Sequence, residues 1–167
     1  MTAAPEGSMR GPKTRGVSIR KAGLRELEGL AVLFDAYRRF YGEASDVAAA
    51  RRFLRRRLKG GESTVFLAYA GDTLLGFTQL YPTFSSTRLK RLWILNDLFV
   101  VPAGRRRGVA AALIARARLL AADTGAEGLC LETAKTNRPA QRLYEKLGWK
   151  REREFYRYNY ELPGLPG

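Results

Sequence analysis

Three adjacent arginines, Arg105, Arg106 and Arg107, are followed by Gly108, Val109 and Ala110 where a strand-forming run, LNDLFVVP (95–102), gives way to an alanine-rich helical run. A strand-to-helix turn of this kind presents backbone N–H groups that no helical carbonyl satisfies, at the positive end of the helix macrodipole. An exposed anion gains about 0.3–1 kcal/mol there, and flanking arginines strengthen the field. A pyrophosphate fits such a turn, and the small Gly108 and Ala110 would let it approach the backbone. A P-loop would require Gly-Lys-Ser/Thr where this chain has Gly108-Val109-Ala110, and a dinucleotide fingerprint would require three spaced glycines. Nucleic-acid phosphates and an ordinary surface turn stay open as other readings.

Acid-base chemistry must come from other residue types, because the 167-residue chain has no histidine. That removes Ser-His-Asp and Cys-His arrangements and most zinc sites, and no metal site is expected. The candidates are Asp97 beside Asn96 in the strand before the arginines, Tyr144 in a later helix, and Glu43 and Asp46 between two early helices. Each has a plainer role: Asp97 could pair with a structural arginine, Tyr144 lies on an apolar stripe with Ala140, Leu143 and Leu147, and Glu43 and Asp46 could be loop and cap residues. The single cysteine, Cys130, sits in an apolar run and reads as a small core residue and a poor nucleophile, which suits a reducing, cytoplasmic compartment.

The elements that must position these residues follow from hydrophobic periodicity. A strand is expected at 17–22, an amphipathic helix at 24–42, and a second helix capped by Ser45 and ended at Gly60, with Val47, Phe53, Leu54 and Leu58 inward and Arg51 to Lys59 outward. Strands at 64–70 and 74–82 form a hairpin around Gly71-Asp72, followed by a polar loop and a strand at 92–100. Helix 108–122, strand 128–134 and helix 138–147 then alternate, which implies a parallel strand pair, and residues 148–162 read as one or two closing strands. Residues 1–16 read as a disordered tail and 17–167 as one domain. No apolar run approaches the about 20 residues that span a bilayer, so neither a membrane nor a secretory leader is expected.

Arg105-x-x-Gly108-x-Ala110, after DLFVVP and opening a helix, resembles the acetyl-CoA loop of the GNAT N-acetyltransferase superfamily, whose pattern is Arg/Gln-x-x-Gly-x-Gly/Ala. LETAKTNRPAQRLYEKLGW (131–149) resembles that superfamily's next element: a strand, an Asn, a helix carrying Ala and Leu-Tyr, then Gly-aromatic. The likeness runs from about Val17 to Leu162, and FDAYRRFYG and GFTQLYPTFSS are similar to the histone or polyamine acetyltransferase-like subgroup.

The resemblance implies an α+β fold, with a mixed sheet of six or seven strands, a splayed parallel pair and four helices. It implies acetyl-CoA as cosubstrate and acetyl transfer to a primary amine by direct attack in a ternary complex. Backbone groups of Leu98, Phe99 and Val100 would hold the pantetheine arm, amides of Arg105, Arg106, Arg107, Gly108, Val109 and Ala110 the pyrophosphate, and Asn137 would meet the pantetheine unless it serves only as a helix N-cap. Tyr144 matches the tyrosine that protonates the departing thiolate, and Asp97 sits at the level of a base. Polyamine-type relatives often carry Glu where this chain has Asn96. Strict alternation would put Asn96 and Asp97 on opposite faces, so that only one lines an acceptor cleft. Asn96, Tyr41 and Glu43 are the acceptor-side candidates.

The formal charge of +14 points to anionic partners, and the first 16 residues hold only +2 of it. Acetyl-CoA explains part of this surplus. A basic nucleic-acid-binding module using helix 51–59 is the runner-up, although no zinc pattern, RNP-like strand or clear helix-turn-helix supports it. A CoA-binding GNAT-like protein without catalysis is the third reading. The aromatic FYRYNY end suggests a homodimer edge.

Overall fold

The computed structural model describes residues 16–163, so residues 1–15 of the expected tail lie outside the described part. Five strands form one sheet in the order β1-β2-β3-β4-β5: β1 (Ser18–Lys21), β2 (Thr64–Ala70), β3 (Thr73–Ser85), β4 (Lys90–Val100) and β5 (Gly128–Cys130). The first four are antiparallel neighbours, and β4 and β5 are parallel. The helices are α1 (Leu27–Phe40), entered through a short 3-10 turn, α2 (Val47–Lys59), α3 (Val109–Asp123) and α4 (Arg138–Lys146). The described residues fall into two compact units, one reaching to Glu132 and the other starting at Thr133 and holding α4.

Alternation along β2 assigns the layers of the first unit. Val65 and Leu67 pack with Leu30, Phe34, Ala50 and Leu54 of α1 and α2, whereas Phe66 between them lies under the Arg116 guanidinium of α3, 4.6 Å from its ring centre. The sheet is therefore covered on both faces, and β2 is almost wholly apolar. β3 and β4 run closer together than a side chain allows at Gly76, where a Cβ would come within 2.5 Å of the Phe99 carbonyl oxygen.

Three expectations are corrected. The sheet has five strands rather than six or seven, because residues 148–162 form no strand; Phe155, Tyr156, Tyr158 and Tyr160 are each more than three-quarters exposed. Alternating aromatic residues supply strand propensity, but a strand exists only where a ladder partner is paired. The polar loop after β3 shrinks to a turn at Ser86–Leu89, since the hairpin extends to Ser85 and Lys90. Finally, the N-cap of α2 is Asp46, whose Oδ1 accepts the Ala49 amide at 2.8 Å, and not Ser45.

Ser45 is used instead to hold the α1–α2 connection. Its hydroxyl donates to Oδ2 of the buried Asp35 at 2.8 Å, the Asp46 amide donates to Oδ1 at 2.7 Å, and Arg38 lies 3.7 Å away. The Ser45 and Asp46 hydrogen bonds, and then the Arg38 charge, hold the Asp35 carboxyl below the ordinary aspartate range. A carboxylate depressed in the folded state contributes stability above its unfolded pKa and loses it as pH falls through the folded value. Asp35→Asn is therefore expected to be less stable than wild type at neutral pH and to lose less stability than wild type as pH falls below about 4. Urea titrations from neutral to acid pH measure this; parallel curves would assign Asp35 no such role.

Candidate active site

The register of β4 against β3 shifts once. Leu80 pairs with Leu95 and Gln79 with Asp97, which leaves Asn96 as an extra residue in a β-bulge. The bulge changes which face β4 presents. Upstream, the Trp93 indole donates to Thr124 at the end of α3 at 2.9 Å; downstream, Phe99 meets Tyr37 and Phe40 of α1 with ring centres 6.0 and 6.3 Å apart. Asn96 and Asp97 are consequently not separated by the strand as alternation predicts: Asn96 Nδ2 donates to Asp97 Oδ1 at 3.1 Å.

Asp97 is buried, and its carboxylate is fixed on both oxygens, by Asn96 on one and by Gln79 Nε2 at 2.9 Å on the other. No arginine forms an ion pair with it among the described residues, so the structural-arginine reading does not hold. Gln79 also donates to the Tyr81 hydroxyl at 2.9 Å and accepts from Ser63 at 3.1 Å. Burial, then the Asp97 charge, pushes the Tyr81 phenol above its ordinary value, with Arg57 opposing the shift. Sequence reasoning did not single out Gln79 or Tyr81. The signal available was two hydrogen-bonding residues at i and i+2 of β3, Gln79 and Tyr81, which share a face.

The backbone of β4 opens toward a gap. Pairing with β5 stops at Ile94 and Cys130, and among the described residues Leu95–Val100 pair only with β3. Val101 donates to the Leu75 carbonyl at 2.9 Å, and antiparallel backbone groups alternate in direction, so Val101, Phe99 and Asp97 address β3 while Val100 and Leu98 address the open side. The Val100 carbonyl accepts Arg105 Nε at 3.2 Å, which agrees with that parity. Phe99, by contrast, has its backbone toward β3 and its ring in the α1 core.

β4 leads through a 3-10 turn, Pro102–Gly104, into the arginines. Arg105 is occupied, by the Val100 carbonyl and by the Phe40 ring 6.0 Å from its guanidinium carbon. Arg106 and Arg107 are exposed and form no ion pair among the described residues. Two residues here have left-handed backbone, Arg106 at φ 59° and Gly108 at φ 77°. The arginine accepts a strain of about 1 kcal/mol, the kind of local cost that marks binding loops. The Arg105 amide donates to Pro102 at 3.2 Å and the Ala112 amide begins the α3 ladder on Gly108 at 3.0 Å, so the amides between them lie at the helix N-terminus, where intrahelical carbonyl partners are lacking. Val109 is buried and anchors the helix start, whereas Ala110 is half-buried. Strand edge and turn together suit an extended ligand with an amide-bearing arm and a terminal polyphosphate.

Two of the acceptor-side candidates, Tyr41 and Glu43, follow the end of α1, whereas the third, Asn96, is in the β4 bulge. Tyr41 is more than half exposed and meets the Tyr37 ring edge-on at 5.1 Å; Tyr37 in turn meets Phe99, so this aromatic series connects the α1 terminus to β4. Glu43 is exposed and lies 3.8 Å from Arg38, which offsets its charge. Asp46 is committed to its cap. Cys130 is exposed rather than in the core, yet nearby protein still removes enough water to raise its thiol, which makes it a poor nucleophile.

In the second unit, Asn137 caps α4: its Oδ1 accepts the Ala140 amide at 3.3 Å, with Pro139 in the first turn. Tyr144 is half-buried, its ring centre 5.9 Å from that of Trp149, and its carbonyl accepts the Trp149 amide at 3.0 Å. No helix among the described residues is long and apolar enough to cross a membrane. No group of three or more potential metal ligands occurs among them.

The sequence profile of the Acetyltransferase (GNAT) family matches residues 30–149. YhfO of Bacillus subtilis, an uncharacterized N-acetyltransferase, is 43% identical over 147 residues, covering 88% of this chain and 99% of its own length. A probable acetyltransferase of Haemophilus influenzae is 33% identical over 141 residues, covering 77% and 97%. Among solved structures, the crystal structure of a probable acetyltransferase superposes with a TM-score of 0.83 at 42% identity, covering 89% of this chain and 99% of that one.

Proposed function

We propose, because this chain belongs to the GNAT acetyltransferase family, that it transfers the acetyl group of acetyl-CoA to a primary amine by direct attack within a ternary complex. The observation that carries this reading is the open edge of β4 running into the Arg106–Ala110 turn, which offers amide partners and then phosphate partners in the order an acyl-CoA needs them. Leu98 and Val100 would bond the pantetheine, the amides from Arg106 to Ala110 the pyrophosphate, with Arg106 and Arg107 adding charge and Arg105 bracing the turn. Asn137 would add a pantetheine contact through an atom not used in its cap. When bound, acetyl-CoA supplies an acyl group activated as a thioester.

The chain's own residues then manage two protons. The acceptor arrives as an ammonium, and Asp97, directly or through one water, accepts its proton; Gln79 and Asn96 hold the carboxylate in place for this. Tyr144 donates to the sulfur that leaves, and its role rests on its position in the motif. Asn96, Tyr41 and Glu43 would contact the acceptor. A cytoplasmic location suits the single exposed cysteine, and the aromatic run at 155–160 would form the edge of a homodimer.

The test is calorimetry with acetyl-CoA followed by release of free CoA thiol in the presence of a diamine, an amino sugar, a lysine peptide and a peptide N-terminus. Binding, and thiol release with at least one of these, is expected; no binding at physiological salt would overturn the proposal. Tyr144→Phe is expected to lower kcat by about 10²–10⁴-fold with little change in acetyl-CoA affinity. An unchanged kcat would return Tyr144 to a packing role beside Trp149.

A further inference from the structure

Helix α2 carries six basic residues between Arg51 and Lys59, and the structure separates them into two groups. Arg51 donates to Glu28 at 2.6 Å. Arg57 donates to Glu62 at 2.8 Å, lies over the Phe53 ring and reaches the Tyr81 region. The other four, Arg52, Arg55, Arg56 and Lys59, are exposed and have no acidic partner among the described residues. They stand at i, i+3, i+4 and i+7, which is one helical face, opposite the buried Ala50 and Leu54. Four unneutralised charges therefore line a straight stripe about 10 Å long.

We propose that this stripe docks on the phosphate backbone of double-stranded DNA, a function separate from acetyl transfer. Charge complementarity names a polyanion, and the surface selects among polyanions. A protein partner would want an apolar or aromatic anchor at the centre of the patch; none stands between these cations, and Phe53 at their margin is already stacked on Phe34 and covered by Arg57. A single strand would want free aromatic faces on which bases stack, and the aromatic beside this stripe, Phe53, already has its ring engaged by Phe34 and Arg57. A duplex needs only regularly spaced cations on a rigid support: along one strand, phosphates recur about every 3.4 Å of axis, so the stripe spans about three of them. The excess of +14 over the whole chain adds long-range attraction that the short stripe then orients. The contact reads no bases, so it is sequence-independent and salt-sensitive.

The test is fluorescence anisotropy of a short labelled DNA duplex titrated with the full chain between about 50 and about 200 mM salt. Wild type is expected to bind in the range of about 10⁻⁴–10⁻⁶ M at physiological salt, with affinity falling steeply as salt rises. Replacing all four (Arg52→Gln, Arg55→Gln, Arg56→Gln, Lys59→Gln) should reduce the salt slope by about 3 to 4 and weaken binding at least about tenfold at low salt. Arg52→Lys, Arg55→Lys and Arg56→Lys together should keep the slope, which separates charge from helix integrity. An unchanged slope in the glutamine variant overturns the proposal. So does equal competition by polyglutamate at matched charge, which would name an acidic protein, or tighter binding to a single strand. Thiol release with acetyl-CoA should be the same in both variants, so failure here leaves the enzymatic reading standing.

Discussion

Gly108→Glu is expected to weaken acetyl-CoA binding by about a hundredfold or more while leaving the fold intact. Three effects add at this position. The backbone of Gly108 has φ 77°, where any Cβ costs about 1 kcal/mol. The position is also the N-cap of α3, where the first amides lack intrahelical partners and an anion would dock. Its carboxylate would also repel a phosphate: two unit charges about 4 Å apart near a protein surface interact by about 4 kcal/mol, more than the factor of a hundred requires. Gly108→Ala isolates the backbone contribution and should cost no more than about tenfold. Calorimetry on both variants, with thermal unfolding as a control, makes the comparison. A glutamate variant that binds like wild type would move the phosphate elsewhere, and the basic α2 face would be the next place to look.

The second large effect is expected at Asp97. Asp97→Asn should lower kcat by about 10²–10⁴-fold, because the base is lost while the shape is kept. Acetyl-CoA affinity should not change, since Asp97 addresses β3 through its backbone and is not part of the phosphate turn. Asparagine's one oxygen can still accept from Gln79 or from Asn96, while its NH2 meets the other donor, so the buried network loses its charge and one of the two hydrogen bonds. A structural role alone would show as lost stability with kcat preserved, and the two readouts therefore part company. Gln79→Leu is the companion variant. It removes the donor that fixes one carboxylate oxygen and the hydrogen bonds that Gln79 makes to the Ser63 and Tyr81 hydroxyls, so it should lower kcat less than Asp97→Asn does.

Much of this was legible in the chain. Hydrophobic periodicity located all four helices and five strands to within a few residues, because each is either a strongly patterned amphipathic segment or an apolar run bounded by turn residues. The arginine turn was equally legible, since its chemistry is local: a strand end, a small residue, a helix start. The closing strands expected at residues 148–162 do not form, since pattern without a paired neighbour does not make a ladder. Cys130 was overread as core, because an apolar run does not say how many of its members are covered.

What the sequence by itself determined is therefore the set of elements, the place of the arginine turn and the family likeness, all carried by residues adjacent in the chain. Only the tertiary structure decided the rest. The bulge at Asn96 exists because β3 and β4 pair in two registers, and it alone brings Asn96 to Asp97 and turns Phe99 toward α1. The Asp97–Gln79–Tyr81 network depends on two strands meeting. Which arginines of α2 are neutralised depends on Glu28 and Glu62, which fold back onto it from outside the helix. Charge and periodicity can be read along one chain, but pairing is a relation between distant segments, and it took the fold to reveal which cations were left without one.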